Sequence, residues 1–239
     1  MAQKIITFAN HKGGVSKTTS TASIGACMAM KGKKVLLIDL DGQANLTLYF
    51  IPNEDEIETS IFDSLVNGVP LPVKHIRENL DLVPSSLEMA REQLLSRLLE
   101  PLRKDYDYIL IDCPPSLGIV TTNAFIAADE IIVPMTPELL PLKGMRMLDA
   151  FVTTLQRVKP SLRLGGVFIA RFNHRKLNKV VEQAVKERYE SITMNTRIRE
   201  NIALAESAGS GKSIFEYDLN SNGAKDYLAL TEEILSRNQ

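Results

Sequence analysis

A short stretch near the start of the chain, His11-Lys12-Gly13-Gly14-Val15-Ser16-Lys17-Thr18-Thr19, brings together two lysines, two adjacent glycines and vicinal hydroxyls. It follows an apolar run, Ile5–Ala9, and precedes a run of small residues with helical period. A glycine-rich turn between a strand and a helix lets successive N–H groups converge on phosphate oxygens, and the helix N-terminus adds partial positive charge. Gly13 and Gly14 supply the curvature, and the backbone from Gly13 through Val15 and Ser16 supplies the donors. Lys17 has the reach to bridge a β- and a γ-phosphate, Thr18 offers a hydroxyl to Mg²⁺, and Thr19 offers one to an α-phosphate. The strict spacing G-x-x-x-x-G-K-[ST] is not met, because His11 and Ser16 occupy the outer glycine positions. What fits is the variant with a second lysine, K-G-G-x-x-K-T-T, in which Lys12 is the extra cation. Gly209-Ser210-Gly211-Lys212-Ser213 imitates the end of such a loop, but Glu206 stands at the first glycine position and no apolar strand leads into it. It is expected to be a connecting loop.

Two carboxylate motifs complete the chemistry. Val35–Asp39 is an apolar run ending in Asp39-Leu40-Asp41-Gly42-Gln43-Ala44-Asn45, and Tyr108-Ile-Leu-Ile-Asp112 ends in Asp112-Cys113-Pro114-Pro115-Ser116. An aspartate closing an apolar strand beside a phosphate loop holds Mg²⁺ through its water shell. Asp112 is assigned that role, Asp39 supports the metal side, and Asp41 orients a water at the γ-phosphate. Taken alone, an aspartate at a strand end is more often a cap or turn residue, and that alternative stays open for Asp39. Cys27 and Cys113 form no C-x-x-C and are expected to be packed as small buried residues. His11, His75 and His174 share no ligand spacing, so no transition metal is expected.

These motifs need a frame that brings strand ends to one edge. Ile5–Ala9, Val35–Asp39, Leu80–Val83, Tyr108–Asp112, Ile131–Pro134 and Val167–Ala170 are continuous apolar runs of strand length, as expected where both faces are covered. Helical candidates alternate with them: Thr18–Met30, Ser60–Val66, Leu87–Arg103, Leu142–Val158 and Lys179–Tyr189. The fold expected is α/β, a mainly parallel twisted sheet with helices on both faces, in one domain spanning 1–239. Ligands of such sheets bind beyond the carboxyl ends of the strands. The 239 residues, 44% of them apolar, suffice to bury a core and exclude global disorder. Neither a signal peptide nor an apolar run of the roughly 20 residues needed to cross a bilayer is present, so a cytoplasmic location is expected.

A formal net charge of −1 excludes a uniformly basic nucleic-acid binder. The charge is nevertheless uneven. Arg157–Arg199 holds eleven Lys/Arg against three acids, while Ile51–Val73 holds five acids and no base. The basic stretch is the candidate surface for an anionic partner, with a solvated, salt-bridged surface as the competing reading.

On Asn10–Thr19, Val35–Leu48 and Tyr106–Ser116 the chain resembles the ParA/Soj family of DNA-partitioning ATPases, within the deviant-Walker group of P-loop proteins. Ile131-Ile-Val-Pro-Met-Thr-Pro-Glu138 and the closing Ile198–Leu230 segment extend the resemblance over nearly the whole sequence. Because the sequence begins at its first strand, it resembles the short forms without an N-terminal DNA-reading extension. The resemblance implies ATP and Mg²⁺ as cofactors and a homodimer with nucleotide sandwiched between subunits. Lys12 would then be the signature lysine reaching the partner's nucleotide, a charge supplied in trans. It also implies non-specific DNA binding in the ATP state, a nucleoid-associated location, and a ParB-like centromere-binding partner that stimulates hydrolysis. Adenine contacts of the family fall near Phe172-Asn173, which makes Asn173 a nucleotide candidate, and in the Glu206–Ser213 segment.

Several positions depart from the family pattern. Asp41-Gly42 replaces Asp-Pro, Ala44 and Ser16 replace glycines, and the arginines usual at 200 and 203 are Glu200 and Ala203. DNA contact would therefore fall to Arg175, Lys176, Lys179, Lys186, Arg188, Arg197 and Arg199. Other functions of the same fold remain as alternatives. A MinD-like membrane-positioning ATPase would need a terminal amphipathic helix with a basic face, whereas Tyr227–Arg237 carries two acids and one base. An iron–sulfur carrier would need paired cysteines. A nucleotide-binding scaffold with little hydrolysis fits if the altered Asp41 loop is inactive.

Overall fold

The computed structural model describes residues 3–86, 95–137 and 141–238. Its centre is an apolar strand, β1 (Lys4–Phe8), flanked on both sides by parallel strands. The remaining strands are β2 (Val35–Asp39), β3 (Lys74–Arg77), β4 (Leu80–Val83), β5 (Tyr108–Asp112), β6 (Glu130–Met135) and β7 (Arg163–Ile169). They form one sheet in the order β3-β4-β2-β5-β1-β6-β7, parallel except for the β3–β4 pair. β2, β5 and most of β1 and β6 are buried throughout, as double coverage requires. The strand order reverses direction at β1, and its carboxyl end opens onto the crevice where such sheets bind ligands.

The helices are α1 (Lys17–Met30), α2 (Asn45–Phe50), α3 (Ile61–Asn67), α4 (Leu95–Leu99), α5 (Ile119–Ala127), α6 (Pro141–Leu155), α7 (Lys176–Arg188), α8 (Ala203–Gly209), α9 (Ile214–Tyr217) and α10 (Asn222–Arg237). One apolar cluster packs α3 to α7 on one face of the sheet, with Phe125 and Phe151 meeting edge to face at 5.7 Å. The opposite cluster packs α1, α2, α9 and α10 on the other. Among the described residues no helix is long and apolar enough to cross a membrane.

The expected strands and four of the expected helices are present, with ends shifted by a few residues. Residues 87–94 of the expected helix Leu87–Arg103 lie outside the described residues, and the remainder is α4 followed by a 3₁₀ turn, Glu100–Asp105. The sequence reading lacked β3, α2, α5 and the three C-terminal helices. β3 is Lys-His-Ile-Arg, a charged, partly exposed antiparallel edge strand, which blunts the edge against further pairing and hides the strand's signal. α5 is apolar nearly all round, so it shows no stripe. Gly209–Ser213 is the expected connection: the helix α8 runs into it, and Ser213 then caps α9 through a capping box with Glu216.

α1 lies close to the sheet at Gly25, and its buried residues are mostly Ser, Thr, Ala, Gly and Cys, with Ile24 and Met28 the large apolar ones. At Gly25 an added β-carbon would stand 2.5 Å from Leu37 Cδ2 and 3.4 Å from Leu110 Cδ1. Gly25→Val is therefore expected to lower the free energy of unfolding by about 2 kcal/mol, read from urea melts. Gly209→Ala, at a position with open space, should change it by less than about 0.5 kcal/mol.

Candidate active site

Strand register places the site. Phe8 of β1 pairs with Asp112 of β5, and Asp39 of β2 pairs with the same Asp112. The phosphate loop leaves β1 at this level, so Asp39, Asp112 and the loop share one edge, as the sequence motifs required. Asn10 staples the loop's first residue to the neighbouring strand. Its Nδ2 donates to the Pro134 carbonyl at 2.8 Å, and its Oδ1 accepts the Lys12 N–H at 3.0 Å. Gly13 and Gly14 are exposed and Gly14 is left-handed at φ 71°, the curvature its glycine type allows. Val15 is buried and anchors the loop in the fold. Ser16 is also left-handed, φ 68°, although it carries a β-carbon. That conformation costs a non-glycine residue about 1–2 kcal/mol.

Lys17, the first residue of α1, is buried, and its ammonium donates back to the Lys12 carbonyl at 3.3 Å. Burial lowers its pKa from the ordinary lysine value, while the carboxylates of Asp112 and Asp41 pull it back up. Thr18 donates its hydroxyl to Asp112 Oδ2 at 2.6 Å. The other oxygen, Oδ1, is buried without a hydrogen-bond partner. A buried carboxylate oxygen left unpaired is costly, and it marks a place for a cation or its water. Burial, and next the charge of Asp39, push the Asp112 carboxyl well above the ordinary carboxylate range, against the pull of Thr18 and Lys17. Thr18 and Asp112 together fit a hard cation of the magnesium type, which takes oxygen ligands and keeps waters. Among the described residues no group of three or more His, Cys, Asp or Glu is placed to hold a metal, so phosphate oxygens would have to complete the shell. Thr19 is half-buried one residue further along.

Asp39 is tied into the chain. Its Oδ2 accepts the Thr47 N–H and hydroxyl, each at 2.8 Å, and its Oδ1 accepts the Asp41 N–H at 3.0 Å. It thereby fixes the loop that carries Asp41. Asp41 is half-buried, accepts the Gln43 N–H on its side chain at 3.1 Å, and is held by Ser85, whose hydroxyl donates to its carbonyl at 2.8 Å. Ala44, where glycine is usual, is left-handed at φ 52° and starts α2. The loop thus keeps a glycine-type turn with an alanine in it. Thr47, Ser85 and Asn10 were not singled out by sequence as site residues. Thr47 lies within the Val35–Leu48 stretch but past its aspartates, Ser85 lies outside every motif, and only the fold shows their hydroxyls meeting Asp39 and the Asp41 loop.

Asn173 follows β7, accepts the Arg175 N–H on its side chain at 3.2 Å and donates to Glu200 at 3.3 Å. The basic candidates divide by environment. Arg199 forks onto Asp226, with contacts of 2.6 and 2.9 Å, and Arg197 and Lys186 both pair with Glu182. Arg197 also lies 4.7 Å over the Phe172 ring, and Arg188 packs on Tyr189. Arg175, Lys176 and Lys179, at the start of α7, are exposed and make no ion pair among the described residues. His75 pairs with Asp81, and both cysteines are buried.

A parallel sheet with the lysine-bearing loop at its crevice and an aspartate closing the next strand defines a P-loop NTPase fold. The AAA domain family matches residues 3–164. The sporulation initiation inhibitor protein Soj of Bacillus subtilis (strain 168) is 37% identical over 248 residues, covering 97% of this chain and 98% of that protein. The chromosome partitioning protein ParA of Myxococcus xanthus (strain DK1622) is 34% identical over 251 residues, covering 98% and 88%. Among solved structures, cobyrinic acid a,c-diamide synthase from Mycobacterium smegmatis with bound ATP analog and magnesium aligns with TM-score 0.83 at 30% identity, covering 98% and 94%. A putative plasmid partition protein from Borrelia burgdorferi B31 bound to AMPPNP aligns with TM-score 0.80 at 28% identity, covering 99% and 98%. The chain belongs to the ParA/Soj family of partition ATPases.

Burial pushes the Asp39 carboxyl up to about 6, against the pull of its three donors. A folded-state pKa above the unfolded one stabilises fully below the ordinary carboxylate value, and that contribution is lost as pH rises through about 6. In nucleotide-free protein, the stability of wild type minus that of Asp39→Asn should therefore fall between pH 4 and 7, by on the order of 2–3 kcal/mol. Urea midpoints across that range check it, and a constant difference would contradict it.

Proposed function

We propose that this chain is an ATP-driven dimerising switch that binds DNA without sequence preference in its ATP state and segregates a replicon with a ParB-like partner. The observation that carries the reading is the Thr18–Asp112 pair, with its unpartnered buried carboxylate oxygen beneath a lysine-bearing phosphate loop. The Mycobacterium smegmatis and Borrelia burgdorferi structures, with an ATP analog and magnesium in one and AMPPNP in the other, support ATP and Mg²⁺ as the ligands. The names of the Myxococcus and Borrelia relatives support partition as the task.

Bound magnesium would neutralise charge across the β- and γ-phosphates. The chain's own groups do the rest. Backbone N–H groups from Gly13 to Thr18 cradle the phosphates, and Lys17 holds its ammonium against them from a largely dry position where a charge interaction is strong. Thr18 would hold the ion through its hydroxyl oxygen while its O–H goes on donating to Asp112 Oδ2. Thr19 reaches the α-phosphate. Asp41, fixed by Asp39 and Ser85, accepts a proton from the attacking water and aims it. Lys12, on the exposed side of the loop, serves the nucleotide of a second copy across the dimer. Asn173, on the loop after β7, contributes to the base side.

α7 supports the DNA surface. Lys176 and Lys179 lie in its first turn, where no acid is present and the helix dipole disfavours cations. Such a cluster is relieved by a phosphate backbone, which takes both the cations and the helix N–H groups. Arg197, Arg199 and Lys186 are already paired, so the unpaired start of α7 carries the contact, on the nucleoid, in the ATP-bound dimer.

The test is retention on non-specific duplex DNA. ATP should confer it, ADP should abolish it, and rising salt should weaken it steeply. Lys176→Glu with Lys179→Glu should cut retention at least about tenfold at unchanged ATP affinity. Retention indifferent to nucleotide would overturn the reading. Lys12→Ala should abolish ATP-induced dimerisation, measured by light scattering, and leave monomer ATP affinity within about threefold. A parallel loss of affinity would place the lysine in its own subunit's site.

A further inference from the structure

Ser16 stands where the family pattern has glycine, and it keeps the glycine conformation, φ 68° and ψ 26°. A β-carbon crowds the backbone there, so a serine tends to leave that region. Ser16 occupies the N-cap of α1 without making a side-chain cap hydrogen bond. What holds it is its carbonyl. That oxygen accepts the Ser20 N–H at 3.0 Å and the Ser20 hydroxyl at 2.5 Å. Ser20 Oγ in turn lies 2.9 Å from the hydroxyl of Tyr227 on α10, and both side chains are fully buried.

The direction of this chain follows from the inventory of hydrogens. A carbonyl only accepts, so the single hydroxyl hydrogen of Ser20 is committed to Ser16, and the second contact runs from Tyr227 O–H to Ser20 Oγ. Burial raises the Tyr227 phenol above its ordinary pKa, so the hydrogen is in place at physiological pH. The Ser16 carbonyl and the Lys17 N–H belong to one planar peptide and point in opposite directions. Anchoring the oxygen toward Ser20, inside α1, turns the Lys17 N–H out of the helix end toward the loop.

We propose that Tyr227, acting through Ser20, is a positioning residue that holds the strained Ser16 peptide in the orientation presenting the loop's N–H groups to nucleotide phosphates. The proposal rests on the reading of this loop as a nucleotide site, and it explains how the loop tolerates a side chain at position 16. With glycine there the conformation is unstrained, and the strut has little left to hold.

A double-mutant cycle tests it on the full chain, with wild type, Tyr227→Phe, Ser16→Gly and the double variant titrated with Mg-ADP by calorimetry. Tyr227→Phe should weaken Mg-ADP binding about fivefold in the wild-type background and less than about twofold in S16G. In nucleotide-free protein, Tyr227→Phe should speed hydrogen exchange at the Ser20 amide about fivefold, and again much less in S16G. Ser20→Ala, which cuts the strut at its middle, should reproduce the affinity pattern, and urea midpoints verify that each variant folds. Equal losses in both backgrounds would mean that Tyr227 only packs α10, and no loss in either would mean the strut bears nothing; both outcomes overturn the proposal. Wild type that binds no Mg-ADP but keeps the exchange pattern would overturn the proposed function and leave the strut standing. An exchange pattern independent of Tyr227 would overturn the strut whatever the nucleotide does.

Discussion

Asp39 and Asp112 end adjacent parallel strands in register, and both are fully buried. Two carboxylates held out of water at one level repel one another, and each raises the other's cost of ionisation. The rest of the site is arranged around that constraint. Thr47 and the Asp41 N–H take up the charge of Asp39, Thr18 and Lys17 offset that of Asp112, and one oxygen of Asp112 is left over. The described residues thus leave one buried acceptor, Asp112 Oδ1, unfilled beside a hydrogen-bonded hydroxyl. Preorganisation in a low-dielectric crevice is what gives positioned charges their effect on phosphoryl transfer.

Holding the loop over these carboxylates requires α1 to lie close to the sheet, and its Ser, Thr, Ala and Gly side chains permit the approach. The same small hydroxyls let it be bolted from behind. Tyr227 reaches Ser20 from α10, and Tyr49, on the helix after the Asp41 loop, meets Ser207 of α8 at 3.0 Å. The AAA domain match covers residues 3–164, which contain the loop and both aspartates. Yet α8 and α10, which brace them, come from beyond it. The C-terminal part of the chain therefore packs directly against the helices that follow the lysine-bearing loop and the Asp41 loop.

The basic stretch shows why net charge along a sequence is a poor map of a binding surface. Its cations are sorted by neighbours both near and far in sequence: Asp226, outside the stretch, claims Arg199, while Glu182 claims Lys186 one helical turn on and Arg197 beyond the helix. Glu200, where the family has arginine, pairs with Arg171 at 3.7 Å and accepts from Asn173. What remains exposed and unpaired is concentrated at the start of α7. The exposed basic surface left without ion pairs is smaller than the charge count alone implied.

The phosphate loop, the two aspartate motifs and the parallel α/β frame were legible because each is local. Glycine pairs, a lysine before two threonines and apolar runs ending in Asp are written in consecutive residues, and strand–helix alternation forces the strand ends to one edge. The edge strand β3 and the helix α5 were not legible, since one is too charged and the other too uniformly apolar to show a period. The sequence also marked Ser16 and Ala44 as departures without saying what they do. Tertiary structure decided that both keep the left-handed turns of glycine. It also decided that Asp39 binds the Asp41 loop, that Tyr227 reaches the helix after the loop, and which arginines are already paired. The Tyr227–Ser20 and Arg199–Asp226 contacts join distant segments, and such a contact leaves no periodicity or spacing in either one. The Asp39–Thr47 contact is closer in sequence, but it depends on side-chain orientations that residue types alone do not give.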